Sequence, residues 1–337
     1  MHRLLCLLLL LAPFLVHGQQ KTTELFEHYT LSRPRLRNFT IHVTQSDSKD
    51  KRPLLLYLDG SGNFPLYYKT KSGRYNSSVP LAVRQYAKDY CIVVISKPGT
   101  PFQDSLRYSN TGRGYYPENE AFTQLYSLDW RAETASAAID YVMKKRSIDP
   151  RKVIVMGYSE GSQVAPRVAV LNKKVTHVIC LVGNTLNQLY DFTLAARLQV
   201  EQKQISPSEG QRRVDSLFTE YAKLYHSPKA VDRTWYGSTY LKWSSFSRPT
   251  PLENMLRLSI PILYIAGGQD NKQTIMSMDY AKLEFLRQGK SNLTYRVYPD
   301  CNHFFQEEKL VDGLVQKADR IDEVHQAALD WVTAAEK

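Results

Sequence analysis

The sequence has few cysteines and none of the spacings that hold metals. It contains four Cys in 337 residues, with no CxxC pair and no HExxH motif, so neither a disulfide scaffold nor a zinc site is expected. Cys91 and Cys180 fall at or within predicted strands, where a buried free thiol is the usual interpretation, although Cys91, Cys180 and Cys301 together leave room for one disulfide. We therefore predict a protein without metal or cofactor.

The chain also lacks a long basic run, although its formal net charge is +11. The Lys and Arg residues are spread through short groups, and no nucleic-acid-binding motif accompanies them. We interpret the charge mainly as a contribution to solubility, with weak attraction for anionic substrates or surfaces as the lesser alternative. We predict no nucleic-acid partner.

Only one hydrophobic run approaches membrane length, and it lies at the N-terminus. Arg3 precedes the apolar run Leu4–Val16, and Gly18 offers a small residue for cleavage. The run is short for a bilayer span, so residues 1–18 are predicted to be a signal peptide, with an uncleaved anchor as the alternative. Residues 19–337 would then form a secreted or periplasmic protein without stable membrane insertion.

Apolar runs alternate with helical patterns along most of the chain. This alternation predicts an α/β fold whose mostly parallel central sheet carries helices on both faces. The predicted helices are 79–90, 128–145, 162–172 and 317–336, and the predicted strands are 38–44, 54–58, 91–96, 152–157, 175–183, 261–268 and 293–299.

Two segments break the alternation. Residues 184–258 show helical spacing and a group of Trp and Tyr residues, which predicts a helical lid inserted after strand 175–183. Most of its aromatic residues are expected to pack the lid onto the body, and a few to line a pocket. Residues 97–126 are rich in Gly, Pro, Asn and Tyr, and so long a loop in a compact domain is often functional.

A possible nucleophile follows the buried strand 152–157. The run Gly157-Tyr158-Ser159-Glu160-Gly161 lies between that strand and a helical pattern. Its glycines suit a sharp strand-to-helix turn that would expose Ser159 above the sheet edge, near the positive end of the helix. The pattern G-x-S-x-G is weak evidence by itself, because a serine in any tight turn can produce it.

Two later residues make a nucleophilic role more specific. A catalytic serine needs a base to accept its proton and an acid to orient that base. Asp270 and His303 follow the last two predicted strands, and the chain order Ser159, Asp270, His303 is the order used in this kind of sheet. Asp300 is the alternative acid, although it is only three residues from His303.

Four segments carry a resemblance to a known family: KPGTPF (97–102), SLDWRAET (127–134), DPRKVIVMGYSEGSQVA (149–165), and IPILYIAGGQD (260–270) paired with YPDCNHFF (298–305). From about residue 36 onward the chain resembles the α/β-hydrolase superfamily, in its prolyl-oligopeptidase and dienelactone-hydrolase-like branch. The resemblance is weakest in the lid. It implies an α/β-hydrolase fold and a serine hydrolase that cleaves esters, thioesters, amides or short peptides.

The resemblance also implies roles for individual residues. Ser159 would be the nucleophile, His303 the general base and then acid, and Asp270 the orienting acid. The backbone N–H of Glu160 would supply one oxyanion-hole donor. The loop DGSG (59–62) stands where the family often has HGGG, and Gly60 or Ser61, with Ser61 favoured, would supply the other.

The roles of some neighbouring side chains stay open at this level. Tyr158 and Gly60 are candidate substrate-binding residues, with turn packing as the alternative for Tyr158. The Glu160 carboxylate is either structural or recognises a cationic substrate group such as a peptide amino terminus. Asp59 is expected to hold the oxyanion loop.

The sequence therefore predicts an exported serine hydrolase acting on a small molecule or short peptide. An esterase is favoured and a peptidase is the alternative. An acyltransferase, or a binding module that has lost catalysis, is less favoured, because all three residues are present in order.

Overall fold

The computed structural model of the protein describes residues 22–45, 50–311 and 314–334. The predicted signal peptide at 1–18 lies outside these residues. Within the described ranges no helix is both long enough and apolar enough to cross a membrane.

The centre of the molecule is an eight-stranded sheet. Of its strands only β2 runs against the others, since β2 pairs antiparallel with β1 and β6 and every other neighbouring pair is parallel. This confirms the predicted mostly parallel sheet. In spatial order the strands are β1 Phe26–Arg33, β2 Arg37–Thr44, β6 Cys91–Ile95, β3 Arg52–Leu58, β10 Ile148–Tyr158, β11 His177–Leu181, β14 Ile262–Gly267 and β15 Leu293–Tyr298.

Helices surround this sheet, and short strands decorate its loops. The helices in the described residues are α1 Val83–Tyr86, α2 Glu120–Leu125, α3 Leu128–Lys145, α4 Glu160–Leu171, α5 Gln188–Glu201, α6 Pro207–His226, α7 Tyr240–Ser245, α8 Pro251–Leu256, α9 Lys272–Arg287 and α10 Ile321–Ala334. The remaining strands are β4 Tyr67–Lys69, β5 Tyr75–Ser77, β7 Gln103–Ser105, β8 Arg107–Tyr108, β9 Gly114–Tyr115, β12 Thr234–Trp235, β13 Ser238–Thr239, β16 Gln306–Val311 and β17 Leu314–Asp319.

The central strands are apolar because both of their faces are buried. Successive side chains of a strand point to opposite faces. Leu56 and Val155 accordingly join a cluster that includes Val164 of α4, whereas Leu55 joins a second cluster that includes Val324 of α10. Helices therefore cover both faces, as predicted. This burial explains why these strands show continuous apolar runs instead of alternation.

Two predicted helices are wrong in extent. The expected helix 79–90 is reduced to α1, and residues 79–82 lie outside it. Val79 and Leu81 are buried although this segment is irregular, which explains the apolar spacing that suggested a helix. Pro80 disfavours a helical conformation in the residue before it. The expected helix 317–336 begins only at Ile321, because residues 314–319 pair with β16 in a hairpin.

Between β11 and β14 the chain forms four helices and a small hairpin, in the segment predicted as a lid. Tyr221 and Leu224 of α6 bury their side chains, whereas Phe218 is 56% exposed. Phe192, Trp235 and Trp243 form an aromatic cluster. Most lid aromatics therefore pack within the predicted lid segment, not onto the body as predicted; Phe246, which joins the core cluster of Val164, is an exception.

Candidate active site

The turn that carries Ser159 is sterically constrained. Ser159 lies between the end of β10 at Tyr158 and the start of α4 at Glu160, with φ 55° and ψ −120°, a strained backbone for a residue with a side chain and one typical of functional sites. A Cβ on Gly157 would lie 2.1 Å from the carbonyl oxygen of Gly161, and a Cβ on Gly161 would lie 2.1 Å from that of Leu58. The two flanking glycines therefore permit the close packing that holds this turn.

The structure brings the three predicted residues together. His303 Nε2 lies 3.0 Å from Ser159 Oγ, and His303 Nδ1 lies 3.0 and 2.9 Å from the two carboxylate oxygens of Asp270. Asp270 is buried and His303 is partly exposed. Asp270, not the alternative Asp300, contacts the imidazole. Such a chain can transfer the serine proton to the histidine while the carboxylate stabilises the resulting imidazolium.

The loops that carry Asp270 and His303 are tied to each other. The backbone N–H of Gly268 donates to the carbonyl of Tyr298 and that of Gln269 to the carbonyl of Cys301, each at 2.8 Å. A Cβ on Gly268 would lie 2.4 Å from the carbonyl oxygen of Pro299. The separation of the acid and the histidine is thus fixed by backbone contacts between neighbouring strand ends.

Tyr158 supports the histidine loop. Its hydroxyl donates to the carbonyl oxygen of His303 at 2.8 Å, and its ring meets the imidazole edge to face at 6.0 Å. Tyr158 is only 9% exposed. This burial favours turn packing, the alternative role, over the substrate-binding role predicted for Tyr158.

The predicted oxyanion loop lies beside Ser159. A Cβ on Gly60 would lie 3.4 Å from the Cβ of Ser159. Ser61 lines the same cleft as Ser159 and Glu160. The backbone N–H groups of Ser61 and Glu160 thus belong to segments that flank the serine, so the roles predicted for them as oxyanion-hole donors remain predictions.

A buried ionic cluster anchors this loop. Arg131 Nη2 donates to the backbone carbonyl of Asp59 at 2.7 Å and to its carboxylate at 2.8 Å. Lys97 Nζ lies 2.7 Å from the other carboxylate oxygen of Asp59 and donates to the carbonyl of Gly60 at 2.6 Å. Asp59 therefore anchors the loop, as predicted, and all three charged side chains are buried.

Glu160 extends the same cluster to the lid. Its carboxylate accepts from the Tyr126 hydroxyl, lies 3.4 Å from Arg131 Nη1 and lies 3.2 Å from Lys242 Nζ. Burial alone raises the pKa of Glu160, but Lys242, Arg131 and the Tyr126 hydroxyl outweigh it and lower the pKa to about 2. The carboxylate is thus ionised and fully engaged, which supports its structural interpretation and leaves no free oxygen for a substrate amine.

Lys97, Arg131 and Lys242 were not predicted as site residues. Arg131 has a recognisable signal, because it lies on the face of α3 that buries Leu128 and Ala135, where a charged residue needs a partner. Lys97 opens the motif KPGTPF, but its partner is distant in sequence. Lys242 stands among aromatic residues of the lid with no comparable signal.

A cleft of about 440 Å³ opens beside Ser159. The lid contributes Asp191 and Phe192 from α5, and Lys242 and Trp243 from α7.

The three cysteines of the described residues are free and buried, so the single disulfide left open above is not formed there. Within the described ranges no cluster of three or more Cys, His, Asp or Glu residues has the arrangement of a metal site.

Comparisons with known proteins agree with this architecture. A family model described as "Alpha/beta hydrolase family" matches residues 60–316. Since the match spans more than half of the chain, the protein belongs to the alpha/beta hydrolase family. Among curated proteins, no significant match was found.

Solved structures share the fold at low identity. Dipeptidyl peptidase 4 of Porphyromonas gingivalis is 13% identical, with 92% of this chain and 35% of that chain covered and a TM-score of 0.54. The uncomplexed acylaminoacyl peptidase of Pyrococcus horikoshii is also 13% identical, with 82% and 37% covered and a TM-score of 0.52. A puromycin-hydrolysing peptidase of Mycobacterium tuberculosis is 14% identical, with 83% and 37% covered and a TM-score of 0.50.

This chain spans little more than a third of each of these proteins. The neighbours are consistent with the prolyl-oligopeptidase-like branch that the sequence motifs resemble. At such identities the likeness shows the fold, which is that of a hydrolase.

Proposed function

We propose that this protein is a serine hydrolase in which Ser159 is the nucleophile, His303 the general base and then acid, and Asp270 the orienting acid. The observation that carries the proposal is the hydrogen-bonded chain from Ser159 Oγ through His303 to Asp270, with contacts of 2.9–3.0 Å. The strained backbone of Ser159 at the mouth of an open cleft supports it.

The reaction would proceed through an acyl-enzyme. His303 Nε2 accepts the proton of Ser159 as its oxygen attacks the substrate carbonyl, and Asp270 stabilises the imidazolium. The N–H groups of Glu160 and Ser61 stabilise the oxyanion. His303 then donates the proton to the leaving group, and water, activated by the same histidine, hydrolyses the acyl-enzyme.

Within this class an ester of a small acyl or aromatic group is the first candidate substrate. Phe192 and Trp243 of the lid line the cleft and supply apolar surface for such a group. A peptidase acting on short peptides is the second candidate, favoured by the fold shared with the three peptidases. Export remains part of the proposal, with residues 1–18 removed; N-terminal sequencing of the protein from the producing host tests that part.

The decisive test of catalysis is labelling with a neutral fluorophosphonate. We expect labelling of the wild-type protein, none in Ser159→Ala, and a rate at least 100-fold slower in His303→Ala, because the serine then has no base. Ser72→Ala and His226→Ala, which change residues outside the site, are the matched controls and should label as wild type does.

Absence of labelling in correctly folded wild-type protein would contradict the proposal and favour a binding module. If labelling occurs, rates on p-nitrophenyl acyl esters and on aminoacyl p-nitroanilides decide between the two substrate classes. Faster turnover of the anilides would overturn the preference for an esterase.

A further inference from the structure

Asp191 is a carboxylate in the cleft that none of the proposed steps uses. It lies near the start of α5 and lines the same cleft as Ser159. The amide of Asn184 donates to one of its oxygens. Among the residues that the structure describes, no Lys, Arg or His forms an ion pair with it, and burial raises its pKa to about 6.

Glu160, in the same cleft, provides the contrast. Its charge is balanced by Arg131 and Lys242, and Lys242 Nζ is additionally held by Gln188 at 2.9 Å. Lys242, which lines the cleft, is therefore already paired with Glu160. Removing a carboxylate from water without a cation is unfavourable, so the site around Asp191 is electrostatically incomplete in the free protein.

The surroundings of Asp191 suit a positively charged group. Phe192 follows it in α5 and lines the cleft. Trp243 also lines the cleft, 5.6 Å from Phe192 between ring centroids, but Lys242 Nζ already lies 3.8 Å from the centroid of the Trp243 ring. Phe192 is therefore the ring of the two over which no cation of the described residues lies. Aromatic faces attract cations, and this attraction strengthens when both groups are removed from water. A carboxylate and the Phe192 ring in the same cleft are a favourable combination for binding an alkylammonium ion.

We propose that Asp191 is a specificity-determining residue that binds a cationic group of the substrate, of the class of a primary ammonium, while Ser159 attacks the neighbouring carbonyl. The inference rests on the proposed function, because it assigns a substrate class to the same cleft. The sequence left open a cation-binding role for the Glu160 carboxylate. Because that carboxylate is already paired with Arg131 and Lys242, we assign the cation-binding role to Asp191 instead.

The test measures protection of Ser159 from the neutral fluorophosphonate. Primary n-alkylammonium ions from methyl to hexyl are compared at pH 7.5 with n-alcohols of equal length, so that different distances between Asp191 and Ser159 are sampled. We expect at least one ammonium ion to protect with a dissociation constant about 10-fold lower than that of its alcohol, in the range of one ion pair removed from water.

Asp191→Asn should abolish this difference, and a cooperative urea-unfolding transition shows that the variant is folded. Asp191→Glu, which keeps the charge, should retain part of the preference. Asp215→Asn makes the same change on the exposed face of α6 and should have no effect.

The outcomes separate the two proposals. Absence of labelling in the wild type contradicts the serine-hydrolase proposal. Normal labelling with equal protection by ammonium ions and alcohols overturns the cation site alone, as does a preference that survives in Asp191→Asn. In either of these last cases Asp191 would be a structural partner of Asn184.

Discussion

Replacing Glu160 by Gln isolates the role of the buried ionic cluster. The change keeps the shape of the side chain and removes one charge. The oxygen of Gln can still accept from Tyr126, but its NH₂ group would face Lys242, whose Nζ lies 3.2 Å from the present carboxylate. The cluster of Asp59, Lys97, Arg131, Glu160 and Lys242 carries two negative and three positive charges, so the variant raises its net charge from +1 to +2 inside the protein.

Two arguments give the size of the effect. A pKa that falls from 4.5 to about 2 in the folded protein corresponds to about 3 kcal/mol of stabilisation at neutral pH. Removing one partner of a buried ion pair costs about 3–5 kcal/mol. We therefore expect Glu160→Gln to lower the free energy of unfolding by about 3 kcal/mol at pH 7.

The same reasoning fixes the pH dependence. Because the folded pKa of Glu160 is lower than the unfolded one, its stabilisation is fully present above pH 4.5 and is lost as the pH falls toward 2. Urea unfolding at several pH values measures this. The difference between wild type and variant should shrink to about half near pH 3.

The control is Glu209→Gln, which removes an exposed partner of Arg212 and Arg213 and should change stability little. A loss under about 1 kcal/mol for Glu160→Gln, or a loss that does not vary with pH, would refute the assignment of a buried, ionised carboxylate.

Two further predictions concern the residues around the triad. Tyr158→Phe removes the hydrogen bond to the His303 carbonyl; we expect a loss of about 1 kcal/mol in stability and slower fluorophosphonate labelling with an unchanged pH profile, and an unchanged rate would show that the bond does not position His303. Cys91, Cys180 and Cys301 are buried free thiols, and burial raises the pKa of Cys91 to about 11. Peptide mapping after iodoacetamide treatment should find them alkylated only in unfolded protein, and alkylation of the native protein would contradict their burial.

The sequence predicted those parts of the fold that depend on burial of a repeating pattern. The strands around β10 are continuous apolar runs because both faces are covered, and α3 occupies the predicted residues 128–145. The strand β1 has no continuous apolar run, since most of its side chains are partly buried or exposed, and it was not predicted. The hairpin of β16 and β17 was missed because pairing with a neighbouring strand, not burial, places residues 314–319 in a strand.

At the site, chain order and motif predicted the three residues that the structure brings together. Asp191 had no signal in the sequence, since an acidic residue near a helix start is ordinary. Its significance comes from what surrounds it, namely a cleft shared with Ser159 and the absence of a cationic partner among the described residues. Such a feature exists only after distant segments have packed.

The buried cluster also connects the predicted lid to the helix that follows Ser159. Lys242 of α7 pairs with Glu160 beside Ser159, and Gln188 of α5 donates to Gln163 of α4 at 2.7 Å. Both lid segments that line the cleft are thus joined to α4, the helix that begins at Glu160 directly after Ser159. Opening the lid at these points would expose the Lys242 pair and break a buried hydrogen bond, which is costly. The cleft next to Ser159 is therefore largely preformed, so the cation preference proposed for Asp191 should depend on a fixed geometry and decline sharply with a change in alkyl length.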